Sequence, residues 1–165
     1  MYSVKLGFLE ANNRINKLIT DDYHSEALVT SMFTVEKTLR RTLRQIIVSA
    51  GFISSSADKL LKRLQGLDAL KNNWDLYDPQ NRKLVGGILQ NNYWQEVHKG
   101  SLMRNKLVHG LKVYGGNVCR YQTHQVLEAL NHIKSTFDSV YGYSGWERGK
   151  VRRKSRLHTD PKIHI

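Results

Sequence analysis

The chain has 165 residues, and its 26 lysines and arginines against 14 aspartates and glutamates give a formal net charge of +12. Its 40% of hydrophobic and 24% of charged residues are typical of a folded domain and exclude an intrinsically disordered chain. A single cysteine excludes a disulfide framework within the chain, and no apolar run has the length of a signal peptide core or a membrane span. We therefore expect a cytoplasmic protein with no membrane partner, whose charge attracts a polyanion such as nucleic acid.

Apolar residues that recur at steps of three and four predict a succession of helices. In chain order these are Ser3 to Ile19, Ser25 to Ala50, a helix opening near Ser55 whose apolar stripe continues to Trp74, a helix from Asn81 to Gly110 that is interrupted around Gly86 and Gly87 and resumes near Tyr93, and Thr123 to Gly142. Ser55 and Asp58 have the spacing of a capping box. Residues 112–121 are predicted to form a loop or a short hairpin, and no segment alternates like a strand. The predicted fold class is therefore all-α, a bundle of about four or five helices.

The positive charge is unevenly distributed along the chain. Half of the net charge lies in residues 148–165, so we predict a helical bundle over residues 1–142 and a basic tail over 143–165. The tail is either a solvated segment or an arm that adds phosphate contacts through Arg152 and Arg153. The second predicted helix also has a basic face, with Arg40, Arg41 and Arg44 as further candidate RNA-binding residues.

Most signatures of catalysis are missing from the sequence. It has no metal-binding HExxH or CxxC motif and no glycine-rich loop of the nucleotide-binding kinds, and so neither a metal nor another cofactor is expected. What remains is the run Arg104-Asn105-Lys106-Leu-Val-His109-Gly110 on a predicted helix.

In this run an arginine is followed by an asparagine and, after four intervening residues, by a histidine. It resembles the motif of HEPN domains, a superfamily of helical, metal-independent ribonucleases in which four to six residues separate the arginine from the histidine. The segment from Phe33 to Arg40, with Glu36 and basic residues, is similar to the long early helix of that family. The resemblance implies an endoribonuclease of a toxin–antitoxin or phage-defence system that acts on tRNA or other single-stranded RNA. It further implies a homodimer with a composite active site, and an antitoxin or regulatory partner.

The chemistry of these side chains suits RNA cleavage. On a helix, Asn105 and His109 share one face, whereas Arg104 lies about 140° round from His109 and roughly 7.5 Å along the axis. The arginine must therefore reach across, or the helix must open near Gly110, for the two side chains to converge. A neutral imidazole accepts the proton of the ribose 2′-OH, and a guanidinium binds the phosphate.

Other residues receive subordinate roles. Lys106 is a candidate RNA-binding residue, and Glu36 is a possible supporting residue, although a solvated i, i+4 ion pair with Arg40 is the better explanation of it. Tyr114 is the other possible supporting residue: in toxin members of the family a tyrosine soon after the histidine is the target of a nucleotidyltransferase antitoxin. Its distance of five residues from His109 departs from that pattern.

Two alternatives stay open. The motif is also compatible with a solvated helix end, in which case the chain is a catalytically silent helical module that binds RNA or a protein partner. A bundle that lies on a membrane surface is disfavoured, because no basic helix is rich in exposed Trp and Phe.

Overall fold

The computed structural model describes residues 7–146, and these form six α-helices. They are α1 (Phe8–Thr20), α2 (His24–Ser49), α3 (Ser54–Arg63), α4 (Gly66–Asn73), α5 (Asn91–Val108) and α6 (Gly116–Tyr141), with a 3-10 turn at Trp74–Leu76. No β-strand occurs among these residues, which confirms the predicted all-α class. No helix within residues 7–146 is long and apolar enough to cross a membrane.

The long helices begin and end close to their predicted bounds because their apolar periodicity is strong. α2 runs from His24 to Ser49, and Gly51 follows it with φ +103°. α6 ends at Tyr141, and Gly142 follows with φ +66°. A positive φ costs glycine nothing, so each helix stops where a glycine permits the turn.

Three local predictions are wrong. The predicted helical stretch from Asn81 to Gly86 is not a helix: Leu84–Ile88 is an irregular turn in which Val85 is extended and Gly86 has φ +83°, whereas α5 begins at Asn91, close to the predicted resumption near Tyr93. Helix α6 begins at Gly116, seven residues before the predicted start, so 116–121 is not a loop or hairpin. Ser55 and Asp58 form no capping box, because α3 begins at Ser54 without a side-chain cap and Asp58 accepts a hydrogen bond from Arg44.

The described residues divide into two compact units. One comprises the residues up to Val35 together with Asn92–His132, and the other comprises Glu36–Asn91 together with the residues from Ile133 onward. Helices α2 and α6 each contribute residues to both units. The predicted boundary between residues 142 and 143 stays a prediction.

The first unit has its core where α1, α2, α5 and α6 contribute apolar side chains. Gly100 of α5 lies close to α2 and α6, since a Cβ atom built on it would stand 2.8 Å from both Met32 Sδ and Val126 Cγ2. The fully or almost fully buried residues include Ala11, Ile15, Leu28, Met32, Val35, Trp94, Val97, Cys119, Val126 and Leu130.

The second unit is built around a buried polar chain as well as apolar residues. The indole N–H of Trp74 donates to Tyr141 Oη at 2.9 Å, and that hydroxyl donates to Asp78 Oδ1 at 2.6 Å. Arg82 donates to both carboxylate oxygens of Asp78 at 3.0 Å. The bonds join the end of α6 to the loop of residues 77–82, which follows the 3-10 turn, and they hold that loop although it has no regular secondary structure.

Candidate functional site

The Arg104–His109 run occupies the last turns of α5, in the first unit. The N–H of His109 donates to the carbonyl of Asn105 at 3.1 Å, so the helical turn is closed up to the histidine. Beyond it, Leu111 N–H donates to Lys106 C=O at 2.8 Å, and Gly110 has φ +65°. This is the Schellman motif, in which a glycine with positive φ ends the helix. The N–H of the residue after the glycine donates to a carbonyl of the last helical turn. The helix therefore does not open before His109.

Arg104 is directed toward α2. Its guanidinium carbon lies 5.2 Å from the centre of the Phe33 ring, at cation–π distance, and the arginine is half-buried. Phe33 itself is 45% exposed. The aromatic ring restricts the long arginine side chain while the surface around it stays open to a ligand.

Asn105, Lys106 and His109 are exposed. A side chain that exchanges a proton with the substrate or binds it must be accessible to that substrate. All three side chains meet this requirement. The structure thus keeps the predicted catalytic residues on one helix end and divides them between two environments. Arg104 contacts Phe33 of α2, whereas Asn105 and His109 are exposed to solvent.

An open groove of about 340 Å³ lies along the same helix end. It is lined by Ser25, Glu26, Val29 and Thr30 of α2 and by Leu107 and Val108 of α5. Val108 is one turn after Arg104 on α5, and Val29 is one turn before Phe33 on α2, so the groove continues from the Arg104–Phe33 contact. Its lining ends one residue before His109.

The four groove residues on α2 had no part in the predicted site. Glu26, Val29 and Thr30 follow the ordinary pattern of an amphipathic helix, and no motif distinguishes them in the sequence. Their relation to the motif depends on which helix packs beside α5.

The predicted supporting residues have partners of their own. Glu36 accepts a hydrogen bond from Arg40 Nε at 2.9 Å, so it forms the i, i+4 pair that was the alternative to a role in the site. Tyr114 is half-buried, and the Lys112 ammonium lies 4.9 Å from the centre of its ring.

The basic face of α2 is largely occupied in holding the second unit together. Arg40 donates to the carbonyls of Leu61 and Leu64 at 3.2 and 2.8 Å, and in this way caps the end of α3. Arg44 donates to Asp58 at 2.7 Å. The RNA-binding roles of Arg40 and Arg44 stay predictions, to which the structure adds these intramolecular bonds.

Arg41 differs from its neighbours because its guanidinium lies against an aromatic ring. Its Cζ is 5.9 Å from the ring centre of Trp146, and Lys37 Nζ is 5.2 Å from the same ring. Burial, and next the positive charge of Arg41, lower the pKa of Lys37. Arg152 and Arg153 lie outside the described residues.

Within residues 7–146 no group of three or more His, Cys, Asp or Glu side chains is placed to hold a metal ion. Comparisons with models of protein families, with curated proteins and with solved structures find no match to this chain.

Proposed function

We propose that the chain is a metal-independent endoribonuclease that cleaves RNA by attack of the ribose 2′-OH on the adjacent phosphate. The observation that carries the proposal is the end of α5, where an exposed histidine follows Asn105 by one turn while Arg104 lies against Phe33 beside an open groove. A base for the 2′-OH and a cation for the phosphate are the two groups that this reaction needs.

In the proposed reaction the neutral imidazole of His109 takes the proton of the 2′-OH as the oxygen attacks phosphorus. The guanidinium of Arg104 binds the non-bridging oxygens, whose negative charge grows in the pentacoordinate state. The P–O5′ bond then breaks, and the leaving oxygen takes a proton from an imidazolium. The products are a 2′,3′-cyclic phosphate and a 5′-OH. Asn105 orients His109 or donates to the phosphate, and Lys106 adds a phosphate contact.

The two proton transfers call for two imidazoles of opposite protonation state. A homodimer that brings the His109 side chains of two copies to one phosphate supplies both, and we propose that composite arrangement. The resemblance to HEPN domains supports it, and likewise supports a role as a toxin or antiviral defence effector in the cytoplasm, held silent by an antitoxin or regulatory partner.

Incubation of the full-length protein with end-labelled RNA in EDTA tests the proposal. We expect cleavage with cyclic-phosphate and 5′-OH ends, and no cleavage of DNA of the same sequence, which lacks the nucleophile. His109→Ala and Arg104→Ala should each lower the cleavage rate by about 10²-fold or more.

Two exposed residues of the same unit provide matched controls: His98→Ala on α5 and Arg120→Ala on α6 should cleave like the wild type. Intact RNA after prolonged incubation, or undiminished cleavage by His109→Ala, would contradict the proposal.

The second candidate function is a catalytically silent module that binds RNA or a protein partner. It is favoured by the apolar side chains that the first unit exposes around the motif, namely Leu102, Val108, Leu111, Val113 and Val118. Such residues are typical of surfaces that another molecule covers. Under this alternative the wild type binds RNA or a partner without cutting RNA, and His109→Ala leaves binding unchanged.

A further inference from the structure

The groove between α2 and α5 has no assigned role in the proposed reaction, although its lining residue Val108 directly precedes His109 and is one helical turn from Arg104. We propose that it is a base-binding subsite that takes a guanine of the RNA next to the scissile phosphate. The cleavage part of this inference rests on the proposed function, whereas the binding part does not.

Glu26 is the residue that selects the ligand. It is an exposed acid in the first turn of α2, and it lines the groove. Its side chain makes no hydrogen bond or ion pair with any described residue. A carboxylate repels phosphate, so this position does not serve the RNA backbone. It accepts hydrogen bonds, and so it serves a neutral group that donates them.

Among the four bases, guanine alone presents two adjacent donors on its Watson–Crick edge, the N1–H and the N2 amino group. The two oxygens of one carboxylate accept both in parallel. Adenine and cytosine place a ring nitrogen acceptor beside their amino group, which faces a carboxylate oxygen unfavourably. Uracil has a single donor between two carbonyls. An unpaired carboxylate thus discriminates in favour of guanine.

The remaining lining suits the flat faces of a base. Val29, Leu107 and Val108 are apolar, and a binding site of this kind combines apolar walls with a few polar groups that fix the orientation. Arg104 stands one turn from Val108 and His109 directly follows it, so a base in the groove leaves its own phosphate within the neighbourhood of both.

Binding of single-stranded DNA tests the subsite without any need for cleavage. The probes are short oligothymidylates that carry one central guanine, inosine or adenine. Inosine lacks the N2 amino group and removes one of the two donors. We expect the full-length protein to bind the guanine probe about tenfold more tightly than the inosine probe.

Glu26→Gln should abolish the preference for guanine over inosine, because its amide cannot accept two parallel bonds. Glu128→Gln on α6 makes the same change of charge at another exposed glutamate of the same unit and should keep the preference. Equal binding of guanine and inosine by the wild type, or a preference that survives in Glu26→Gln, would overturn the proposal.

Mapping of RNA cut sites then separates this inference from the proposed function. One outcome is a guanine at a fixed position relative to the cut, which is lost in Glu26→Gln but kept in Glu128→Gln. This outcome supports both the ribonuclease activity and the guanine subsite. A guanine preference in binding together with intact RNA retains the subsite and rejects the ribonuclease. Cleavage without any base preference retains the ribonuclease and rejects the subsite.

The oligomeric state of Val108→Arg tests the other occupant of the groove, a second copy of the chain. If this variant converts a dimer into a monomer while guanine preference is absent, a second copy covers the groove and the subsite is overturned.

Discussion

At the scale of single residues, the charge of Asp78 matters most for the second unit. Its carboxylate is fully buried, and burial by itself would raise the pKa. The hydrogen bonds from Arg82 and Tyr141 and from two backbone N–H groups outweigh burial, so the pKa of Asp78 lies below its ordinary value of 3.8. A carboxylate with a lowered folded-state pKa stabilises the fold above its unfolded pKa, and this contribution is lost as the pH falls through the folded value.

We therefore predict that Asp78→Asn lowers the free energy of unfolding at neutral pH by about 2–3 kcal/mol, because Arg82 loses its charged partner. The difference from the wild type should shrink below the ordinary aspartate pKa of 3.8, where Asp78 begins to protonate in the unfolded chain, and it should vanish as the pH falls through the lower pKa of the folded state. Urea unfolding of both proteins at neutral pH and at a pH below 3.8 measures this difference in the free energy of unfolding.

Asp21→Asn, at an exposed aspartate after α1, is the matched control and should follow the wild-type pH dependence. A difference between Asp78→Asn and the wild type that stays constant with pH would contradict the assignment.

At the scale of elements, the position of α5 in the first unit depends on Gly100. Helix propensity alone favours alanine over glycine by about 1 kcal/mol. Here the added methyl group would stand 2.8 Å from Val126 Cγ2, which belongs to a stiff β-branched side chain, and equally close to Met32 Sδ. Overpacking of this kind costs about 1–3 kcal/mol.

Gly100→Ala should accordingly lower the free energy of unfolding in spite of the gain in propensity. Chemical denaturation followed by far-ultraviolet circular dichroism gives the measurement. Gly115→Ala, where no atom lies within 4 Å of the added Cβ, is the comparison variant and should not be destabilised by contact. A Gly100→Ala protein as stable as the wild type would show that α5 shifts to make room.

The elements also show what the sequence could predict. α2 and most of α6 follow from apolar periodicity, which is a local signal. The first turns of α6 lack it: between Gly116 and Gln122 only Cys119 is fully buried and apolar, and the helix begins at the second of two consecutive glycines. The loop of residues 77–82 is held by the bond between Asp78 and Tyr141, which are 63 residues apart, and such a pairing has no local signature.

The candidate site divides in the same way. The run from Arg104 to His109 and its helix end at Gly110 follow from the sequence, because spacing and a glycine stop are local features. The position of Arg104 on Phe33 and the groove lined by Glu26 could not be predicted, because both depend on α2 packing beside α5.

At the scale of the whole molecule, the net charge of +12 includes basic residues of helix α2 and basic residues near the end of the sequence. Arg40 and Arg44 are engaged in bonds that stabilise the fold, to the end of α3 and to Asp58. Arg152 and Arg153 belong to the basic stretch at the end of the sequence. Removal of the charge of Arg40 and Arg44 therefore also removes bonds of the fold.

We predict that Arg40→Gln with Arg44→Gln lowers the free energy of unfolding by about 2 kcal/mol or more, because charged hydrogen bonds to the end of α3 and to Asp58 are lost. Arg152→Gln with Arg153→Gln should leave unfolding unchanged. If both arginines contact phosphates, it should also reduce the slope of log affinity for single-stranded RNA against log salt by roughly 1.4. Thermal unfolding and salt titrations on both double variants measure the two effects. Equal effects of both variants on stability would contradict this division.

Cys119 is the single cysteine of the chain, and it is fully buried in the first unit, with its Sγ 3.8 Å from the hydroxyl of Ser25. The native protein thus presents no thiol at its described surface, and a cysteine introduced at an exposed position would be the preferred target of a maleimide dye. A fluorophore attached at position 111, where Leu111 is exposed just beyond the helix end, would report on that helix end without background labelling and would leave Glu26 and His109 in place. The burial of one sulfur atom makes this protein convenient for following occupancy of a site by fluorescence.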